Sequence, residues 1–343
     1  MQAIHVRDLS KSFRVPVRDE RTGALAKLRR FILNPSEELA AVRELSFDVA
    51  AGEVVGFLGA NGSGKSTTIK MLTGILTPTS GTIEVLGYVP HRQRIAYTQH
   101  IGLVLGQKTL LWWNIPVIDS LRLYRDIYNQ SPAEFERRLD HFAGLLEIRD
   151  FLHVPVRKLS LGLRMRAEIV ASLLHRPSII FLDEPTIGLD VLARLNLKRF
   201  LRRVNQEEGV TIFLTTHNMF DVEELCRRCL IIEKGRLIYD GDISALRAGE
   251  THKIVELEIL EVGDDRRLQA ALRRCEIVDR TATTYKLQVP SHEAVDVIGE
   301  LFESCRLSNL NVIPPTLESI IEKLFEERSG RHEHVAEVLQ AVG

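Results

Sequence analysis

Eight consecutive residues, Gly59-Ala60-Asn61-Gly62-Ser63-Gly64-Lys65-Ser66, have the make-up of a loop that holds phosphate. The glycines let backbone amides fold around phosphate oxygens with no Cβ in the way. The run matches the P-loop pattern and stands between an apolar segment of strand length, Val54–Leu58, and a helical pattern over Lys65–Thr73. Such a helix aims its positive N-terminal end at the anion. Lys65 is then placed to reach the β- and γ-phosphates of a nucleoside triphosphate. Ser66, with Thr67 beside it, is placed to offer a hydroxyl to magnesium. A second set of groups follows Ile179–Leu182, where Asp183 and Glu184 stand side by side. Two carboxylates leaving a core strand are costly there, so they should face a cation-rich site. Asp183 suits a magnesium ion, usually through its water shell. Glu184 suits the general base that polarises an attacking water.

These groups converge only if the chain places them together, and its hydrophobic pattern indicates how. Val54–Leu58, Ser178–Leu182 and Thr211–Leu214 are continuous apolar runs, as expected for strands buried on both faces. Helical patterns follow at Lys65–Thr73, Val191–Gln206 and Phe220–Arg228. The alternation predicts a mainly parallel sheet with helices on both faces. Ile4–Val6 and Ser46–Val49 read as further strands, and residues 16–41 between them as an insertion. Its centre, Ala24–Leu33, puts Leu25, Leu28 and Ile32 on one side of a helix, with Lys27, Arg29 and Arg30 beside or opposite. That face suits either lipid headgroups or a membrane subunit, or packing on its own domain. From Trp112 to about Leu174 the pattern is almost wholly helical, which predicts an inserted helical subdomain over about 108–175.

After about Asp240 the texture changes. Lys253–Leu260, Glu276–Asp279, Thr284–Val289 and Asn309–Ile313 read as strands, with helices at Asp264–Cys275 and His292–Cys305. That β-α-β-β-α-β order is ferredoxin-like. Pro314-Pro315 separates it from a helix over Leu317–Glu327, and a polar tail, 329–343, is expected to be mobile. The expected domains are therefore 1–240 and 241–328.

The 343 residues are 45 % hydrophobic and 27 % charged, the balance of a globular protein able to bury a sizeable core. A net charge of −1 exerts no general pull on nucleic acid. No apolar stretch approaches the roughly 18 residues that span a bilayer. The first residues reach Arg7 and Asp8 without an apolar core, which predicts no secretory leader. The expectation is a cytoplasmic protein with a peripheral membrane role. Cys226-x-x-Cys229 has the spacing of redox or metal chemistry but no second pair nearby, so buried residues at a helix end are the reading preferred here.

Three further strings carry a family resemblance. Leu159-Ser160-Leu161-Gly162-Leu163-Arg164-Met165-Arg166, then Phe181 to Asp190 (Phe-Leu-Asp-Glu-Pro-Thr-Ile-Gly-Leu-Asp), then Thr215-Thr216-His217 resemble ABC-transporter ATPase subunits in order and spacing across 1–240. The resemblance implies an α/β P-loop NTPase fold with a helical subdomain, ATP and Mg²⁺ as ligands, and action as a dimer of ATPase subunits. It places Ser160 and Gly162 in the signature loop that reaches the γ-phosphate held by the partner's P-loop. It puts Asp190 in the loop linking the two sites and makes His217 the switch histidine that contacts the γ-phosphate. Gln107 resembles the glutamine of the Q-loop, which senses Mg²⁺ and moves with the helical subdomain, although one residue more than usual separates it from Ile101-Gly102. Phe13 resembles the aromatic that stacks on adenine; a plain strand residue is the other reading.

Trp112-Trp113 are either core of the helical subdomain or a socket for a permease helix. The string Gly106 to Trp113 and the N-terminal insertion resemble the type-2 exporter subgroup, whose permeases are separate chains and whose ATPases carry a small C-terminal module. One departure stands out: Leu161 and Leu163 replace the glycine and glutamine of the usual Leu-Ser-Gly-Gly-Gln. Weakened activation across the dimer, with ATP binding intact, is the expected result. A degenerate ATP-binding regulatory subunit with weak hydrolysis is the alternative. A nucleic-acid ATPase fits poorly with a single cassette and near-neutral charge. The cargo is not written in this chain.

Overall fold

The structure, a computed structural model, describes residues 2–16, 36–106, 108–249, 252–314 and 316–325. Gln107, the helix expected over Ala24–Leu33 and the tail 329–343 lie outside the described residues. The chain divides into two units, Met1–Gly241 and Asp242–Gly343.

The first unit opens with two long strands, β1 (Gln2–Pro16) and β2 (Ser36–Ala50), paired antiparallel. They contain the strands expected at Ile4–Val6 and Ser46–Val49. Residues 36–41, read from the sequence as the end of the insertion, are instead strand: Glu37 and Glu38 pair with Val15 and Arg14. Backbone pairing rather than burial makes them β, so no apolar run announced it. β3 (Val54–Leu58) leads through the glycine-rich run into α1 (Lys65–Leu72). β4 (Ser80–Val85) then joins β1 to give the three-stranded order β2-β1-β4. Only Ile83 and Val85 of β4 are buried, too few to reveal it in the sequence.

After α2 (Arg94–Thr98) and β5 (Ile101–Leu105) comes the helical subdomain: α3 (Val117–Ile127), α4 (Pro132–Leu145) and α5 (Leu161–Leu173). Ser131 caps α4 by accepting from the Glu134 amide, with Pro132 in the first turn, where its missing N–H costs nothing. The chain returns through β6 (Ile179–Asp183), α6 (Val191–Glu208), β7 (Thr211–Thr215), α7 (Met219–Leu225), β8 (Arg228–Glu233) and β9 (Arg236–Asp242). The main sheet has the order β5-β6-β7-β3-β8-β9, and the pairings among β5, β6, β7, β3 and β8 are parallel. α7 stops before the expected Arg228, because Cys226 turns extended and Arg228 opens β8, its guanidinium held by Asp240 and Glu53.

Phe213 lies at the centre of the core, its ring 5.4 Å from Phe57, 5.9 Å from Phe181 and 6.1 Å from Phe47, so aromatic packing joins the two sheets. At Gly56 a Cβ would lie 2.7 Å from Val222, which is why α7 can press onto β3.

In the second unit, α8 (Ile243–Ala248) precedes β10 (His252–Val262), α9 (Asp265–Arg273), β11 (Glu276–Arg280), β12 (Thr284–Pro290), α10 (Ala294–Ser304) and β13 (Cys305–Ile313). The antiparallel sheet runs β11-β12-β10-β13, the ferredoxin-like arrangement. Its core joins Val255, Leu257, Leu287 and Val289 of the sheet to Leu268, Val297 and Leu301 of the helices. β13 starts four residues before the expected Asn309, since Cys305 and Arg306 pair with Val262 and Glu261 despite their polar surroundings. Residues 317–325 are helical.

Candidate functional site

Parallel register fixes the height of the site. Leu105, Asp183 and Thr215 are direct neighbours across β5, β6 and β7, and Phe57 of β3 lies opposite Thr215. The segments leaving these strands therefore emerge at one edge of the sheet, where ligands of open α/β sheets bind. A cavity of about 400 Å³ opens there. Asn61, Gly62, Gly64, Lys65, Ser66 and Thr67 line one side; Asp183, Glu184 and His217 line the other.

The glycine-rich turn admits no other residue at two points. Gly64 has φ +110, and a Cβ on it would meet the Ala41 carbonyl at 2.6 Å. At Gly59 the Ile232 carbonyl would be 2.3 Å from a Cβ. Lys65 is buried, and its Nζ donates to the carbonyls of Gly59 (2.6 Å) and Ala60 (3.0 Å). Burial lowers its pKa, against the opposing pull of Glu184 and Asp183. The ammonium thus lies folded against its own loop, within reach of an anion seated there.

Across the cavity, Asp183 Oδ1 accepts from Thr215 Oγ1 at 2.5 Å and lies 3.5 Å from Ser66 Oγ. Glu184 has φ +57, a left-handed conformation unusual outside glycine, while its amide donates to the Thr215 carbonyl at 3.0 Å. That turn brings its Oε2 to 2.6 Å from His217 Nδ1. Strain of this kind persists where surrounding structure over-determines it. Among the described residues no group of three or more His, Cys, Asp or Glu is set to hold a metal. Ser66 and Asp183 nevertheless offer a hydroxyl and a carboxylate close together, the oxygen donors that suit a magnesium ion shared with phosphates.

Other residues singled out by sequence lie apart from the cavity. Ser160 caps α5, its Oγ accepting from the Leu163 amide, and Asp190 caps α6 by accepting from the Ala193 amide at 2.8 Å. Phe13 is an exposed residue of β1 with Lys11 Nζ 5.3 Å from its ring centre. Neither it nor Ser160, Gly162 or Asp190 lines the cavity. Gly59, Ala60 and Ser63 do not line it either; they shape the turn behind it, the Ser63 amide donating to the Ala60 carbonyl.

Leu161 has a structural place: a Cβ on Gly188 would lie 2.3 Å from its Cδ2, so the leucine covers that glycine. Trp112 and Trp113 are exposed, which corrects the core reading; the flat indoles sit beside Tyr124 and Arg164 at the surface of the subdomain. Cys226 and Cys229 are buried, and burial raises the Cys226 pKa. Sequence reasoning missed Lys70 and Lys108, which also line the cavity. Lys70 follows Ser66 by one helical turn and was legible from α1; Lys108 had no signal of its own.

Comparison with known proteins bears on this geometry. The family model described as ABC transporter matches residues 42–187. The chain is 32 % identical over 222 residues to the ABC transporter ATP-binding protein NatA of Bacillus subtilis, spanning 65 % of this chain and 89 % of that protein. It is 34 % identical over 281 residues to the Nod factor export ATP-binding protein I of Paraburkholderia xenovorans, 80 % of this chain and 90 % of that one. A solved structure of the ATP-binding subunit of an ABC transporter superposes with a TM-score of 0.59 at 26 % identity, covering 72 % of this chain and 92 % of the other. Among the described residues no helix is long and apolar enough to cross a membrane.

Proposed function

This chain belongs to the family of ABC transporter ATP-binding proteins, and on that premise we propose that it hydrolyses ATP as a two-fold dimer to drive export through separate permease chains. The observation that carries the reading is the 2.6 Å contact between His217 Nδ1 and Glu184 Oε2 across from the P-loop lysine. Glu184 is the base that takes a proton from the attacking water, and His217 holds its carboxylate in line. Lys65 leaves the Gly59 and Ala60 carbonyls to donate to the β- and γ-phosphate oxygens. Bound magnesium would neutralise charge on those oxygens. Ser66 and Asp183 are the residues to hold it.

The remaining donors come from a second copy. Ser160 and Gly162 of one protomer close over the triphosphate of the other, with Gln107 sensing the result. Exposed Val191 and Leu192, next to Asp190, offer apolar surface for that contact. Trp112 and Trp113 are exposed, and Trp112 packs on Tyr124, which lines a cleft between α2, β5 and the helical subdomain; the two indoles are the proposed permease socket. Export follows the printed name of the Nod factor relative. The role is peripheral, on the cytoplasmic face.

Leu161 and Leu163 favour one competing reading, a regulatory subunit that binds ATP and scarcely turns it over. Phosphate release by purified protein, with and without Glu184→Gln, decides between them. The hydrolytic reading expects release that the variant abolishes, and an ATP-stabilised dimer on gel filtration. A variant that stays monomeric with ATP, or a wild-type protein that releases no phosphate, overturns it.

A further inference from the structure

Beneath the site lies a cluster of charged groups that the chemistry above does not use. Lys198, on the inner face of α6, is 1 % exposed, and Asp221, in the first turn of α7, is 0 % exposed. Lys198 Nζ stands 3.4 Å from Asp221 Oδ1, pairs also with Glu224, and lies 4.6 Å from the centre of the Phe220 ring. Asp221 Oδ2 accepts from the hydroxyl of Thr186, itself buried, at 2.7 Å. A buried ion pair is a weak source of stability, because apolar residues of the same size avoid the desolvation cost. What it provides is a fixed geometry, since each ion tolerates few positions for its partner.

The places it ties together are the relevant ones. Thr186 is two residues beyond Glu184, and its carbonyl accepts from the Leu189 amide in the turn leading to Asp190. α6, which carries Lys198, begins at the residue after Asp190. Asp221 is four residues beyond His217, in a turn set by two more bonds, Asn218 N to Thr216 Oγ1 and Phe220 N to Asn218 Oδ1. Gly56 lets the same helix press on β3, so α7 is held from both sides.

We infer that Lys198 and Asp221 are positioning residues for ATP hydrolysis: their buried pair locks the helix after His217 to the turn after Glu184 and to the helix after Asp190. It thereby holds His217 Nδ1 against the Glu184 carboxylate. This rests on the ATPase reading above and adds residues that touch neither nucleotide nor water. The lock acts on the chemical step and not on nucleotide capture, which belongs to the P-loop on the far side of the cavity.

The test is steady-state ATP hydrolysis by the full chain carrying Lys198→Met, Asp221→Asn or both, with rates scaled to the folded fraction from circular dichroism. Each single variant is expected to lower kcat about tenfold while KM for ATP stays within twofold. The double variant is expected to fall no further than the worse single one, as for residues acting as a unit. It also removes both fully buried ions and leaves only the part-exposed Glu224 without its cation, so it carries the test should a single variant not fold. An unchanged kcat, a rise in KM with kcat preserved, or losses that multiply in the double variant would overturn the inference. Wild-type turnover insensitive to Glu184→Gln would instead sink the ATPase reading.

Discussion

Glu168 offers a prediction whose size follows from its surroundings. It lies in α5, the helix capped by Ser160, and is 1 % exposed. Its Oε1 makes no hydrogen bond; the nearest cation is Arg164, Nε 3.7 Å away. Burial raises the carboxyl from 4.5 to about 7, opposed by the Thr109 side chain, Arg164 and the Leu110 backbone. The unfolded chain gives up this proton near 4.5, while the folded chain keeps it to about 7. Between those values the folded state binds more protons, so stability falls as pH rises and the full penalty is present above 7. The interval corresponds to on the order of 3 kcal/mol. Glutamine keeps the shape and removes the charge. Glu168→Gln should therefore be more stable than wild type at pH 8, by up to that amount, and should lose the downward slope between pH 5 and 7. Urea midpoints at pH 5, 6, 7 and 8 for both proteins measure it. A variant less stable at pH 8, or one keeping the wild-type slope, would refute the reasoning.

Two substitutions probe the site more directly. Lys65→Ala removes the ammonium folded against Gly59 and Ala60 and should weaken ATP binding at least tenfold and abolish turnover; equilibrium binding of a fluorescent ATP analogue and phosphate release report the two effects. Leu161→Gly uncovers Gly188 and should cost about 1–3 kcal/mol of stability, since a large side chain leaves a packed contact, while raising turnover by freeing the signature loop. Thermal melting and steady-state ATPase together check it, and unchanged turnover would mean that Leu161 is no brake.

How much of this was legible depended on whether a residue's role is set by its neighbours in sequence or in space. The glycines, Lys65 and the Asp183-Glu184 pair declare themselves because a buried strand ends beside them and the required conformation is local. β4 and residues 36–41 do not, because they are strands by pairing with β1, and exposed side chains such as Thr82, Glu84, Glu37 and Glu38 give no periodicity that marks them. Lys198 is the sharpest case. It stands next to Arg199 and close to Arg202 and Arg203, and a cationic run on a helix reads as a solvated face. Only the arrival of α7, carrying Asp221 and Phe220, turns that one lysine inward.

The same distinction explains why the site needs the whole sheet. In the proposed mechanism the P-loop supplies groups for phosphate but none to activate water; Glu184, held by His217, supplies that activation. Each set is complete in sequence and useless alone. Parallel pairing levels Leu105, Asp183 and Thr215 at one height, so the two sets face each other across a single cavity. A slip of one residue between β6 and β7 would reverse the faces of every side chain on one strand. It would also break the Thr215–Asp183 contact and carry His217 away from Glu184. The register is held by Ile180, Phe181 and Leu182 against Ile212, Phe213 and Leu214, all buried. Apolar packing deep in the sheet, rather than any polar contact at the cavity, therefore decides whether base and histidine meet.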